Sequence, residues 1–210
     1  MESLTNKSNT VLVTGTSSGI GRGLCQALIE KGYKVFGTVR NKKDAIELKK
    51  EFGENFDAFS YNLKNEEVWE SGVLKKINSE TVIGKKIEFV KGIRKKNGFN
   101  IEGSKYSGIV EGNPATTSYF SPEFLKRKTW ISTQDGDPLS VSATKIGPDM
   151  AKTVNGEIPA TLWKISGDLD LDLLYAKDGK WLGSRFYAGG SQAEFLLQKS
   201  EGNMHSLWKV

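Results

Sequence analysis

Apolar and polar positions change their period once along this chain. VLVTG (Val11 to Gly15) is a short apolar run ending in glycine, the pattern of a buried parallel strand. In GIGRGLCQALIEKG, Ile20, Leu24, Ala27 and Leu28 recur at helical spacing and share one predicted face, and Gly32 marks a stop. YKVFGTVR reads as a second strand. KKDAIELKKEFG reads as a second helix, with Ala45, Leu48 and Phe52 on one side and Gly53 at its end.

After residue 55 the helical period fades. FDAFSYNL, KKIEFVKGI, FNIEGSKYSGIV, LSVSATKI, ATLWKIS, LDLDLLYA, KWLGSRFYA and AEFLLQKS alternate as strands of an antiparallel sheet, punctuated by Gly, Asn and Asp-Gly turns. AKDGKW is the strongest hairpin signal. The stretch Gly112 to Trp130, with Pro114 and Pro122, reads as an irregular crossing. The expected fold is therefore α+β. A short N-terminal Rossmann-like βαβα unit over residues 1–55 precedes an antiparallel β-rich domain, a curved sheet or partial barrel, over 56–210.

Composition narrows the chemistry. With 210 residues, 37% of them apolar, the chain is long enough to bury a core. The longest apolar runs are too short for a membrane span or a secretory leader, and the single Cys25 permits a reducing compartment. A cytoplasmic chain without a membrane partner is the expectation. One cysteine and one histidine, His205, exclude a Cys/His zinc site, and no metal site is expected. A Ser/His/Asp triad would have to recruit His205, close to the C-terminus. A net charge of +5 is mild and not the footprint of a nucleic-acid binder. The basic segment KKIEFVKGIRKK (Lys85 to Lys96) reads as the exposed face and guarded edge of a strand.

The string TGTSSGIG (Thr14 to Gly21) follows a predicted strand and opens a predicted helix. Gly15 suits the tight turn, Gly19 a close backbone approach to a pyrophosphate, and Gly21 close packing of helix on strand. Free amides at the helix start, with the Ser17 and Ser18 hydroxyls, would face the phosphates. These residues resemble the short-chain dehydrogenase/reductase family, whose first turn reads TGxxxGIG, and the resemblance runs over about residues 9–55 through GYKVFGTVR. It implies cofactor contacts at Gly15, Ser17, Ser18, Gly19, Ile20 and Gly21. It also implies NADP rather than NAD, because the basic Arg40 stands just after the second strand.

The rest of that family's pattern is missing. Its catalytic Tyr-x-x-x-Lys pair is absent: four residues beyond Tyr33, Tyr61, Tyr106, Tyr119, Tyr175 and Tyr187 stand Gly37, Asn65, Val110, Glu123, Gly179 and Ser191. No catalytic residue is assigned, since that mechanism needs the lysine to lower the tyrosine pKa.

From about Phe56 onward the chain resembles a bacterial family of β-rich domains of unknown function. EEVWESGVLKKINSET (Glu66 to Thr81), PATTSYFSPEFL (Pro114 to Leu125) and GDLDLDLLYAKDGKWLG (Gly167 to Gly183) carry that resemblance. It implies a curved antiparallel sheet whose first strands are replaced here by the dinucleotide-type segment.

Two readings follow. One is an NADP(H)-binding, reductase-like protein without the family's proton-transfer pair. The other is a β-rich binding or structural module fused to a Rossmann remnant. Asp168, Asp170 and Asp172, alternating with Leu169, Leu171 and Leu173, read as a solvated strand face opposite a leucine core face. Glu66, Glu67 and Glu70 have nothing in the sequence that gathers them into a site. Trp69, Trp130, Trp163 and Trp181 read as core or cavity walls, and Cys25 as a buried inert thiol.

Overall fold

A computed structural model describes residues 10–153, 156–188 and 191–196. His205 and the end of the AEFLLQKS segment lie outside them. The chain divides into two compact units, residues 1–63 with 81–87, and residues 64–80 with 88–210.

The first unit begins β1 (Thr10–Val13), α1 (Gly19–Glu30), β2 (Lys34–Val39), α2 (Lys42–Phe52) and enters β3 (Phe56–Glu70). β1 pairs parallel with β2, and β2 pairs parallel with the start of β3, from Val35 opposite Phe56 to Val39 opposite Ser60. FDAFSYNL therefore opens as a strand of the parallel sheet rather than of an antiparallel one. Its Phe56 joins Val13, Cys25, Val35, Val39 and Leu48 in one buried cluster.

Both helices have legible causes. The Asn41 side chain accepts the Asp44 amide at the start of α2, and Gly53 ends it at φ +70. Leu48 is buried, and Ala45 and Phe52 pack on the same cluster. Helix α1 turns differently from the expected face. Ile20 is 87% exposed and Leu24 45%, while Cys25 is fully buried. Gly21 and Cys25 are small, and they let the helix lie close to the end of β1. A glycine counts as blank in a hydrophobic pattern, so the pattern picked the neighbouring stripe.

The second unit takes up the remainder of β3 and then β4 (Val73–Ile83), β5 (Lys86–Lys95), β6 (Gly98–Gly103) and β7 (Ser107–Val110). The tip between β4 and β5, residues 81–87, is assigned to the first unit. The unit continues through β8 (Ala115–Thr116), β9 (Thr129–Ile131), β10 (Pro138–Thr153), β11 (Gly156–Gly167), β12 (Leu171–Tyr175), β13 (Trp181–Ala188) and β14 (Ser191–Leu196). β8 to β14 lie side by side in chain order, antiparallel from β9 onward, with only the short β8 and β9 parallel. Strands dominate the described residues.

The Asp-Gly hairpin forms between β12 and β13. The Ala176 amide donates to Lys180 O at 2.8 Å, and Gly179 takes φ +84. The crossing from Gly112 to Trp130 is mostly irregular, holding β8 and a short 3-10 turn at Pro122–Lys126.

Two sequence expectations change here. β5 has strand neighbours on both sides, β4 and β6, so its lysines do not guard an edge. β12 begins only at Leu171, which leaves Asp168 and Asp170 in the preceding loop. Asp168 accepts the Ser140 amide at 2.8 Å, while Asp170 faces Lys164 at 3.8 Å. The three aspartates form no common face. Both faces of β12 are covered, because Leu173 and Tyr175 join one core cluster and Leu174 another with Ala151, Ala160 and Leu182. A strand buried on both faces loses its alternation.

Candidate functional site

The β1–α1 turn is built from backbone geometry. Gly15 and Gly19 hold φ of +68° and +57°, a region that favours glycine, and an added Cβ at either would meet nothing within 4 Å. Gly21 has a different role. A Cβ there would stand 2.4 Å from Gly15 O, so glycine is what lets α1 reach the strand end. The turn is tied to β2 through Thr38. Gly15 N donates to Thr38 Oγ1 at 3.3 Å, and Thr16 N donates to Thr38 O at 3.0 Å. Thr16 is fully buried, and its hydroxyl donates to the same carbonyl at 3.2 Å.

The start of α1 is open to an anion. Its first four amides have no partner inside the helix. Ser18 caps it without a side-chain hydrogen bond, and the first turn carries no acid. Ser17 is half-buried, and Ser18, Gly19 and Ile20 are exposed. Arg40 follows the last residue of β2, is exposed, and makes no ion pair among the described residues. The structure therefore places Gly15 to Gly21 in one turn at the head of α1, with Arg40 just past the end of β2. Cys25 is buried on the inner side of the same helix, and burial pushes its thiol up to about 11.

In the second unit the structure gathers a polar group that sequence reasoning left scattered. Glu67 Oε2 accepts from the Trp69 indole N–H at 2.7 Å and from Thr116 Oγ1 at 3.1 Å. Its Oε1 accepts from Asn65 Nδ2 at 2.8 Å, and Ser118 Oγ lies 2.7 Å from Thr116 Oγ1. Asn65, Glu67 and Trp69 are two residues apart on β3, so their side chains share one face. That spacing was the available signal. Glu66 and Glu70 alternate to exposed positions. Arg127 stacks over the Trp69 and Phe124 rings at 5.4 and 5.7 Å and donates to the carbonyls of Pro114 and Gly72. With its donors satisfied in this way, the arrangement is a tie between β3 and the crossing segment. Among the described residues no cluster of three or more His, Cys, Asp or Glu is placed to hold a metal.

Of the four tryptophans among the described residues, Trp130 is fully buried, its N–H donating to Phe124 O at 3.1 Å, while Trp69, Trp163 and Trp181 pack half-buried on the same core. No described helix is long and apolar enough to cross a membrane.

Comparison with known proteins separates the two regions. Residues 40–198 match the family DUF6134, a domain of unknown function. The chain belongs to this family. The match takes in Arg40 but leaves the glycine turn outside it. Shorter stretches are similar to short-chain reductases. A probable NADP-dependent dehydrogenase of Haemophilus influenzae is 39% identical over 61 residues, 29% of this chain and 24% of that protein. An NADPH-dependent 3-dehydrocapnine reductase of Ornithobacterium rhinotracheale is 39% identical over 51 residues, covering 24% of this chain and 18% of the reductase. A 3-oxoacyl-(acyl-carrier-protein) reductase of Vibrio harveyi is 39% identical over 69 residues, 33% of this chain and 28% of the reductase. This DUF6134 chain thus spans about a quarter of the length of the reductases it matches, and carries a short region related to them.

Proposed function

We propose that the first unit is a Rossmann-like half that binds NADP(H) at the head of α1 and does not reduce carbonyls by the short-chain reductase mechanism. The observation that carries the reading is the turn itself. Gly15 and Gly19 take glycine-favouring conformations with open space above them, and Gly21 brings the uncapped helix start against the strand end. A helix start with free amides and no nearby acid favours an anionic group. The Ser17 and Ser18 hydroxyls add donors to the pyrophosphate. Arg40 supplies a planar fork of donors for a 2′-phosphate. The exposed Ile20 offers apolar contact at the first turn. The names of the similar reductases point to the same cofactor class.

When bound, NADPH supplies a hydride to an electrophilic carbon. In this chain no tyrosine has a lysine four residues on to move the accompanying proton. A full doubly wound sheet also binds its dinucleotide across two halves, and the β1–α1–β2–α2 segment corresponds to the first of them.

The test is a calorimetric titration with NADPH and NADH, on the native chain and on Arg40→Ala. Saturable NADPH binding is expected, with Arg40→Ala weakening NADPH more than NADH. Absence of binding heat at about millimolar cofactor, an affinity near −4 kcal/mol, would refute the proposal. The second reading, a β-rich binding module with the N-terminal unit as scaffold, is favoured by one observation, an open cavity beside Trp163.

A further inference from the structure

We propose that this cavity in the second unit binds a small organic anion with a flat apolar body, of the aromatic carboxylate kind. The inference is independent of NADP(H) binding by the first unit.

The cavity has a volume of about 490 Å³, within the range of small-molecule sites. Trp163, Pro122, Pro159 and Thr161 line it, with Lys145 and Lys177. Trp163 is half-buried on the core, and among the described residues no other aromatic ring stacks on it. An indole with prolines around it gives flat, rigid, apolar contact. Lys145 and Lys177 are both exposed and make no ion pair among the described residues. Asp178, on the same rim, accepts the Lys180 amide within its own turn at 3.1 Å. Two free ammonium groups beside an indole suit one compact anion on an apolar body. Lysine acts as a point charge and lacks the guanidinium fork that selects phosphate.

Two irregularities of the backbone shape the same place. The pairing of β10 with β11 shifts register between Lys145 and Gly147, directly after Lys145 pairs with Trp163. Such bulges re-aim side chains and are frequent beside functional sites. Tyr119, three residues before Pro122, holds φ +56, an uncommon conformation for a bulky residue. Its carbonyl accepts the Tyr175 hydroxyl at 2.8 Å, and Tyr175 itself lines the cavity. This bond anchors the segment that carries Pro122, and the strain is held by its surroundings.

The experiment titrates 2-naphthoate into the whole protein and follows the indole N–H resonances, with Trp163→Phe assigning the one that matters. A parallel titration uses neutral 2-naphthylmethanol. Saturable naphthoate binding that moves the Trp163 resonance is expected. In the Lys145→Gln/Lys177→Gln double variant, naphthoate should bind about tenfold more weakly, while naphthylmethanol binds as before. Both lysines are exposed, so this variant keeps its fold, and binding should survive Arg40→Ala unchanged. No saturation up to about 10 mM naphthoate overturns the proposal. So does an unchanged affinity in the double variant, or a response confined to the other indoles.

Discussion

The close approach of α1 to β1 can be tested by two glycine-to-alanine changes of opposite expected sign. At Gly21 an added Cβ would lie 2.4 Å from Gly15 O and 2.9 Å from Gly15 C. Favourable heavy-atom contact starts near about 3.5 Å, so the helix must back away from the strand by roughly 1 Å. The obstacle is backbone and cannot swing aside as a side chain would. Overpacking of this kind costs about 1–3 kcal/mol, against a helix-propensity gain of up to about 1 kcal/mol for replacing glycine. Gly21→Ala should therefore destabilise the first unit by about 1–2 kcal/mol. At Gly23, two residues on in the same helix, an added Cβ meets nothing within 4 Å. There only the propensity gain remains, and Gly23→Ala should stabilise by about 0.5–1 kcal/mol. Both α-helices of the described residues lie in the first unit. Thermal melts read by ellipticity at the helix band thus report that unit, whereas tryptophan fluorescence reports the other, since none of the five tryptophans falls in the residue ranges of the first unit. A domain of this size shifts by about 4–8 °C per kcal/mol. The argument fails if Gly21→Ala melts at or above the native temperature, or if Gly23→Ala melts below it.

Three further outcomes follow from the structure. Arg127→Ala should destabilise the second unit by about 2–3 kcal/mol in urea titration, because it strips two carbonyls of a charged donor and two rings of a stacked cation; Arg127→Lys should recover less than half. The Cys25 thiol, pushed up to about 11 by burial, should resist a thiol reagent at pH 8 in the native protein and react at once in denaturant; fast native-state labelling would contradict the helix packing. Asp57 is held below its ordinary value, chiefly by the hydrogen bond from Lys49. The stability this gives is present above the unfolded carboxyl value near about 4 and is lost as pH falls through the lower folded value. The Asp57 side chain is 43% exposed, so the effect should be small, and Asp57→Asn should flatten that part of the acid melting curve; an unchanged curve counts against the pair.

The first four elements were legible because their signals are local. Apolar runs mark β1 and β2, Asn41 caps α2, and Gly53 ends it at a positive φ of +70°. The face of α1 was not legible, since the decisive contact is an atom that Gly21 does not have. The start of β3 was misread for another reason. FDAFSYNL is apolar enough for either a parallel or an antiparallel neighbour, and only the register with β2 decides between them. The aspartates of GDLDLDLL follow an alternation that the chain does not use, because a loop between β11 and β12 occupies its first half. At Glu67 the period of two that sets Asn65, Glu67 and Trp69 on one face was a signal in the sequence that went unread. Thr116 and Ser118 arrive from about fifty residues away and could not be foreseen.

The two proposed sites draw on different parts of the physics, and this bears on how each survives change. The proposed phosphate binding at the α1 head would use amides, glycine conformations and the approach of one helix to one strand. All of these are set within Thr10–Val39, with Arg40 added at the end. Proton transfer in a reductase has no comparable locality, since its tyrosine and lysine stand on elements beyond that segment, and here the elements beyond it are those of DUF6134. The cavity at Trp163 has the opposite character. It depends on a bulge in β10, a strained Tyr119 and side chains from separate strands, all inside the range that matches the family. The residues proposed to hold the second unit's ligand all fall within the range that matches DUF6134. The proposed dinucleotide contacts of the first unit would instead rest on this chain's glycine turn, which lies outside the matched range. Other DUF6134 domains that lack TGxxxGIG but keep the lysines and the indole should thus bind the aromatic anion and ignore NADPH.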